Sequence, residues 1–94
     1  MLDDLSSGRA EDLPSGTELI VADIADLEVA RRAAHGVEAV FHLAAIPTVA
    51  RSGEDWVRAH QVNAIGTVAI LDAAARIATA ETRIPVVYAS SAAV

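Results

Sequence analysis

The sequence predicts an α/β protein with a parallel sheet, and three observations carry that expectation. Short apolar runs at 18–21, 37–43 and 84–89 have the length of strands, and stretches with helical spacing at 27–35 and 54–78 separate them. Over half of the 94 residues (53%) are apolar, yet only Phe41, Trp56 and Tyr88 are aromatic. Alanine and valine must therefore fill the interior, as in helix-on-sheet layers with small contact residues. The length suffices for one small domain, and the chain shows no internal repeat and no low-complexity tract.

The elements follow in order. Leu2-Asp3-Asp4-Leu5 leads into Ser6-Ser7-Gly8 and a polar loop that ends near Pro14-Ser15-Gly16. Glu18 to Val21 is a short strand. Asp26 is a good N-cap for a helix from Leu27 to His35, and Gly36 stands where a left-handed C-terminal cap belongs. Val37 to Leu43 is apolar enough for a strand buried on both faces. Ser52 and Asp55 form a capping pair for a long helix from about Glu54 to Ala78. Its stripe of Val62, Gly66, Ala69, Ile70 and Ala73 faces the sheet. Gly66 in a helix interior costs about 1 kcal/mol against alanine, which predicts close packing or a nearby ligand. Thr79 to Arg83 connects to the last strand, Ile84 to Ala89. Val87 to Val94 reads as buried and delivers Ser90 and Ser91 to its C-terminal end, where ligands collect in open α/β sheets.

Composition excludes several classes. A formal charge of -6 argues against nucleic acid and anionic membrane as partners. There is no cysteine, hence no disulfide framework and no thiolate metal site. His35, His42 and His60 lack metal-ligand spacing, and no metal site is expected. His42 reads as a packed core histidine, and the other two as helix-surface residues. No apolar run approaches the roughly 20 residues of a membrane span, and Met1-Leu2-Asp3-Asp4 has no signal-peptide features. A cytoplasmic location is the default.

Five segments, in this order, resemble the NAD-dependent epimerase/dehydratases, the extended short-chain dehydrogenase/reductases. They are Leu2 to Gly8, Ala22-Asp23-Ile24, Phe41-His42-Leu43-Ala44-Ala45, Val62 to Thr67, and Tyr88 to Val94. The resemblance covers essentially the whole chain. It implies a partial Rossmann domain over residues 1–94, a doubly wound parallel sheet whose first strand is missing, with no substrate domain. It also implies NAD as cofactor. Asp3 would accept hydrogen bonds from the adenosine ribose, with Asp4, Ser6, Ser7 and Gly8 close by, and an acidic residue there disfavours a 2′-phosphate. Asp23 and Ile24 would flank the adenine. Leu43, Ala44, Ala45 and Ile46 would line the path from pyrophosphate to nicotinamide. Asn63 would lie beside the nicotinamide and hold a backbone group or a water, and Ser90 would support the cofactor side.

The resemblance makes Ser91 the catalytic residue, hydrogen-bonded to the reacting sugar hydroxyl and assisting a tyrosine acid/base. Ala92 and Ala93 stand where sister dehydratases and decarboxylases carry acids, which favours the nucleotide-sugar epimerase branch. The family's Gly-rich turn would precede Met1 and its Tyr-x-x-x-Lys pair would follow Val94. No lysine occurs in the chain. The expectation is thus a fragment that is inactive alone, from an enzyme acting on a nucleotide sugar. The oligomeric state is left open, the resemblance allowing a homodimer of the full-length enzyme through the long helix, whose outer face does not read as apolar. A non-catalytic Rossmann-like binding module is the alternative, and another NAD-dependent nucleotide-sugar dehydratase or reductase is the alternative enzyme. With the first strand missing, direct pairing of the Glu18 and Val37 strands is the expected compensation.

Overall fold

Two parallel strand pairs organise the molecule. The computed structural model describes residues 1–46 and 55–91. In it β1 (Leu2–Asp3) pairs with β2 (Ile20–Val21), and β3 (Val40–His42) pairs with β4 (Val86–Tyr88). The registers are Leu2 opposite Ile20 in the first pair and Phe41 opposite Val87 in the second. The ladder of the first pair extends beyond the strands: Ile20 N–H donates to the Met1 carbonyl at 2.8 Å and Ala22 N–H to that of Asp3 at 3.1 Å. The expected pairing of the Glu18 and Val37 runs does not occur, because each run finds a different partner. The strand after Glu18 takes Met1 to Asp3, and the strand after Val37 takes Val86 to Tyr88.

A doubly wound sheet explains the arrangement. In the order 3-2-1-4-5-6, the pairs β2–β1 and β3–β4 occupy places 3-2 and 4-5, on either side of a place 1 that no described strand fills. Between them lies a cavity of about 780 Å³ lined by Leu2 and Asp3 of β1 and by Val40, Phe41 and His42 of β3. The radius of gyration, 13.8 Å, exceeds the roughly 12 Å expected of a compact chain of this length, consistent with an opened sheet.

Helix α1 (Leu27–Ala34) starts as local chemistry dictates. The Asp26 carboxylate accepts from Glu28 N–H at 3.0 Å and Val29 N–H at 3.2 Å, satisfying two donors that have no partner within the helix. Arg31 and Arg32 lie in the last turn, where cations suit the helix dipole. Gly36, at φ 78°, reverses the chain beyond the helix.

The long helix begins at Trp56, with Asp55 as its cap: the Asp55 carboxylate accepts from Arg58 N–H at 2.9 Å. Ser52, its expected partner in the cap, and Glu54 lie outside the described residues. The helix runs as α2 (Trp56–His60), a π-helical stretch from Gln61 to Ile65, and α3 (Gly66–Ile77). In the π stretch the Gly66 N–H reaches back five residues to the Gln61 carbonyl. Thr79 accepts from Thr82 N–H in the connector to β4.

Packing is one-sided. Ile24, Ala30, Ala34, Val62, Ala69, Ile70 and Ala73 form one buried cluster, against which Leu2, Val40, Ala44 and Val86 pack. The stripe expected of the long helix is therefore its buried face. Alanines fully buried at 30 and 69 let α1 and α3 approach closely. On the opposite face Phe41 is 75% exposed and Leu43 71%, which corrects the expectation of a strand buried on both faces. The last strand is corrected likewise, since Val87 and Tyr88 are exposed. Period-two alternation puts Val40 and His42 under the helices and Phe41 away from them, and the described helices cover only one face. The outer helix surface is more apolar than the sequence suggested, with Val57, Ile65, Val68 and Leu71 all exposed.

Candidate cofactor site

The C-terminal end of β1 opens into two consecutive aspartate turns. Asp3 Oδ1 accepts from Leu5 N–H at 2.7 Å, and Asp4 Oδ1 accepts from Ser6 N–H at 2.9 Å. Such turns let a short carboxylate replace a backbone acceptor. They hold Leu5 at φ 58°, a left-handed conformation that a side chain with a Cβ adopts at a cost. Strain of that kind concentrates where a loop is shaped for a ligand. Hydrogen bonds from Ser6, with the nearby Arg58 adding, hold the Asp4 carboxyl below its ordinary pKa.

The end of β2 is built the same way. Asp23 Oδ1 accepts from Ala25 N–H at 2.9 Å. That bond, followed by the Arg58 guanidinium, holds Asp23 below its ordinary pKa. Arg58 on α2 reaches both loops, with Nη1 at 2.6 Å from Asp23 Oδ2 and Nη2 at 3.6 Å from Asp4 Oδ2. Sequence reading missed Arg58. Its partners lie 35 and 54 positions away, beyond any local pattern.

The end of β3 is tied to the long helix by a chain of hydrogen bonds. Ile46 N–H donates to Asn63 Oδ1 at 2.7 Å, and Asn63 Nδ2 donates to the Ile46 carbonyl at 3.3 Å. Asn63 thus holds a backbone group, closing on the loop after β3 as a neighbouring strand would. The Thr67 hydroxyl donates to the Asn63 carbonyl at 2.7 Å. Having one proton, it must accept at its 2.8 Å contact with His42 Nε2. This assigns the Nε2–H tautomer to His42. Burial holds the His42 pKa below its ordinary value, and the ring is a core strut rather than a proton carrier.

The cavity between the strand pairs is lined in its interior by core residues such as Leu2, Ile20, Ala34, Val40, Val62 and Ile70, where the order 3-2-1-4 places a further strand. It also touches Asp3, Asp4, Ser6, Ser7, Ile24, Leu43, Ala44, Ala45 and Ile46, with Asp55 and Arg58 added. Gly8, Asp23, Asn63, Ser90 and Ser91 do not line it; Asp23 and Asn63 act on its walls through Arg58 and Ile46. The Ile24 side chain is buried against Gly66, which leaves its backbone for any contact with a base. Ser90 and Ser91 follow β4 at its C-terminal end and are exposed. Ala92 and Ala93 lie outside the described residues.

The residues fit a dinucleotide. Paired carboxylates at one strand end suit ribose hydroxyls, and the small residues Ala44 and Ala45 at the next let backbone approach a ligand closely. Together, the parallel α/β layers and this row of strand ends define a fold of the Rossmann class. The chain belongs to the NAD dependent epimerase/dehydratase family, whose model matches residues 1–94.

The relatives are specific. A UDP-glucose 4-epimerase of Mycolicibacterium smegmatis is 44% identical over 79 residues, covering 78% of this chain and 25% of that protein. The crystal structure of UDP-glucose 4-epimerase with UDP-glucose from Thermotoga maritima superposes with a TM-score of 0.73 at 35% identity. That of the Thermus thermophilus enzyme in complex with NAD gives 0.74 at 34%. Each match covers 80% of this chain and 25% of the other. The chain therefore spans about a quarter of the length of these relatives. No described helix is long and apolar enough to cross a membrane.

Proposed function

We propose that this chain is the part of an NAD-dependent nucleotide-sugar epimerase, of the UDP-glucose 4-epimerase type, that holds the adenosine end and one wall of the cofactor site and presents Ser91 to the substrate. The observation that carries this reading is that the Asp3–Asp4 turn and the Leu43–Ile46 segment follow the C-terminal ends of β1 and β3 and both line the space between the strand pairs. Asp3 and Asp4 hold the ribose hydroxyls, and acidic residues there disfavour a 2′-phosphate. Asn63 fixes the Ile46 backbone, and the neighbouring Ala44 and Ala45 are small enough to let a ligand approach the backbone. Bound there, NAD would supply the hydride chemistry for transient oxidation at the sugar carbon. Ser91 hydrogen-bonds the sugar hydroxyl and orients it toward a tyrosine base. The chain has a single tyrosine, Tyr88, without the Tyr-x-x-x-Lys spacing, and no lysine, so it turns over no substrate alone. The Val57, Ile65, Val68 and Leu71 surface supports a homodimer of the longer enzyme.

Isothermal titration with NAD and NADP, alongside a UDP-galactose epimerisation assay, tests the reading. The expected result is binding of NAD in preference to NADP with no turnover. Equal binding of both, or turnover by the isolated chain, refutes it. One observation favours a second reading, a non-catalytic interaction module: β1 and β3 each pair on one edge only among the described residues, and such edges accept a strand from another chain. A cooperative melt unaffected by NAD, with self-association on sizing, would favour it.

A further inference from the structure

Arg58 is the only arginine among the described residues that line the cavity, and it touches two of the loops read above as the adenosine wall. Its guanidinium joins Asp23, after β2, to Asp4, after β1. Its own backbone is fixed at the start of α2, where Arg58 N–H donates to Asp55. One side chain thus fastens three elements that share no strand ladder with one another beyond the short β1–β2 pair. Asp3, Asp4 and Asp23 bring three carboxylates to this end, and Arg58 pairs with two of them, Asp4 and Asp23.

We propose that Arg58 is a positioning residue for the adenosine half of the cofactor, holding the Asp4 and Asp23 loops at the separation that a ribose and adenine require. The inference rests on the cofactor reading above. Without the guanidinium, the Asp4 and Asp23 carboxylates face one another with no counter-charge, and the two loops move apart. The three side chains are a third or more exposed, so the ion pairs contribute little to global stability. Their effect falls on the spacing of the loops.

The test titrates the 94-residue chain, its Arg58→Gln variant and its Arg58→Lys variant with adenosine and with AMP, following amide shifts by NMR, and melts each protein. Arg58→Gln is expected to weaken both probes about tenfold, equivalent to about 1.4 kcal/mol, with a nearly unchanged melting midpoint. Arg58→Lys should recover part of the loss. If Arg58→Gln does not fold, Arg58→Lys alone decides, and a severalfold loss with an intact melt supports the proposal. Unchanged adenosine affinity overturns it. So does a loss confined to AMP, which would make Arg58 a direct phosphate contact. If the unaltered chain binds neither probe, the cofactor reading itself has failed and this inference falls with it, an outcome separate from normal binding that Arg58→Gln leaves untouched.

Discussion

Replacing Gly66 by alanine should destabilise the chain, although alanine is the better helix former. Gly66 has φ -59° and ψ -41°, ordinary helical values, so its role is not conformational freedom. A Cβ at this position would lie 2.6 Å from Ile24 Cγ2 and 3.4 Å from Ile24 Cγ1. Ile24 is β-branched, with little rotamer freedom to escape, and sits in the buried cluster at 8% exposure. Alanine gains about 1 kcal/mol in helix propensity, and overpacking costs about 1–3 kcal/mol. The net expectation is a loss of about 1 kcal/mol, or about 4–8 °C in melting midpoint for a domain of this size. A double-mutant cycle in urea isolates the cause. Ile24→Ala alone costs about 2–5 kcal/mol, but it removes both γ carbons. In that background Gly66→Ala should become stabilising by about 1 kcal/mol. A Gly66→Ala variant more stable than the parent, or the same sign in both backgrounds, refutes the packing argument.

Other expectations follow from single contacts. Asn63→Asp keeps an acceptor for Ile46 N–H but loses the donor to the Ile46 carbonyl, and should cost about 1 kcal/mol in urea denaturation; a neutral result would mean the clamp carries no net energy. Asp26→Ala removes the cap of α1 and should cost about 0.5–2 kcal/mol, read by thermal melting. His42 titrates below its ordinary 6.5 in the fold because burial disfavours its charged form. Stability should therefore be whole above 6.5 and decline as pH falls toward and through the lower folded value. His42→Gln, whose amide can still donate to Thr67, should flatten that part of the pH profile, and an unchanged slope would refute the assignment.

Local chemistry was legible in the sequence and long-range geometry was not. The Asp26 cap, the Gly36 reversal and the buried stripe from Val62 to Ala73 follow from spacing that a helix imposes on neighbouring residues. The 37–43 run misled because an apolar residue on an uncovered face reads the same as one in a core, so the exposure of Phe41 and Leu43 was invisible. Strand pairing depends on which edges meet: the order 3-2-1-4 puts Met1 and Leu2, as the end of a second strand, beside the run at 18–21, whereas the local residues alone do not choose between them and the run at 37–43. Within the site, the Asp3–Asp4 turn and the Ala44–Ala45 end were readable by family pattern. The backbone clamp of Asn63 on Ile46 was half-readable, since an amide inside a helix invites a tie. The bridge from Arg58 to Asp4 and Asp23 was unreadable, as nothing local marks one surface arginine among seven.

The most direct test of the cofactor reading is an NMR footprint of NAD on the isotopically labelled chain. The predicted result is a set of shifted amides confined to the strand ends: Asp3 to Gly8, Asp23 and Ile24, Leu43 to Ile46, and Asn63. No shifts at saturating NAD, or shifts centred on the outer face of α3 around Val68 and Leu71, would contradict it.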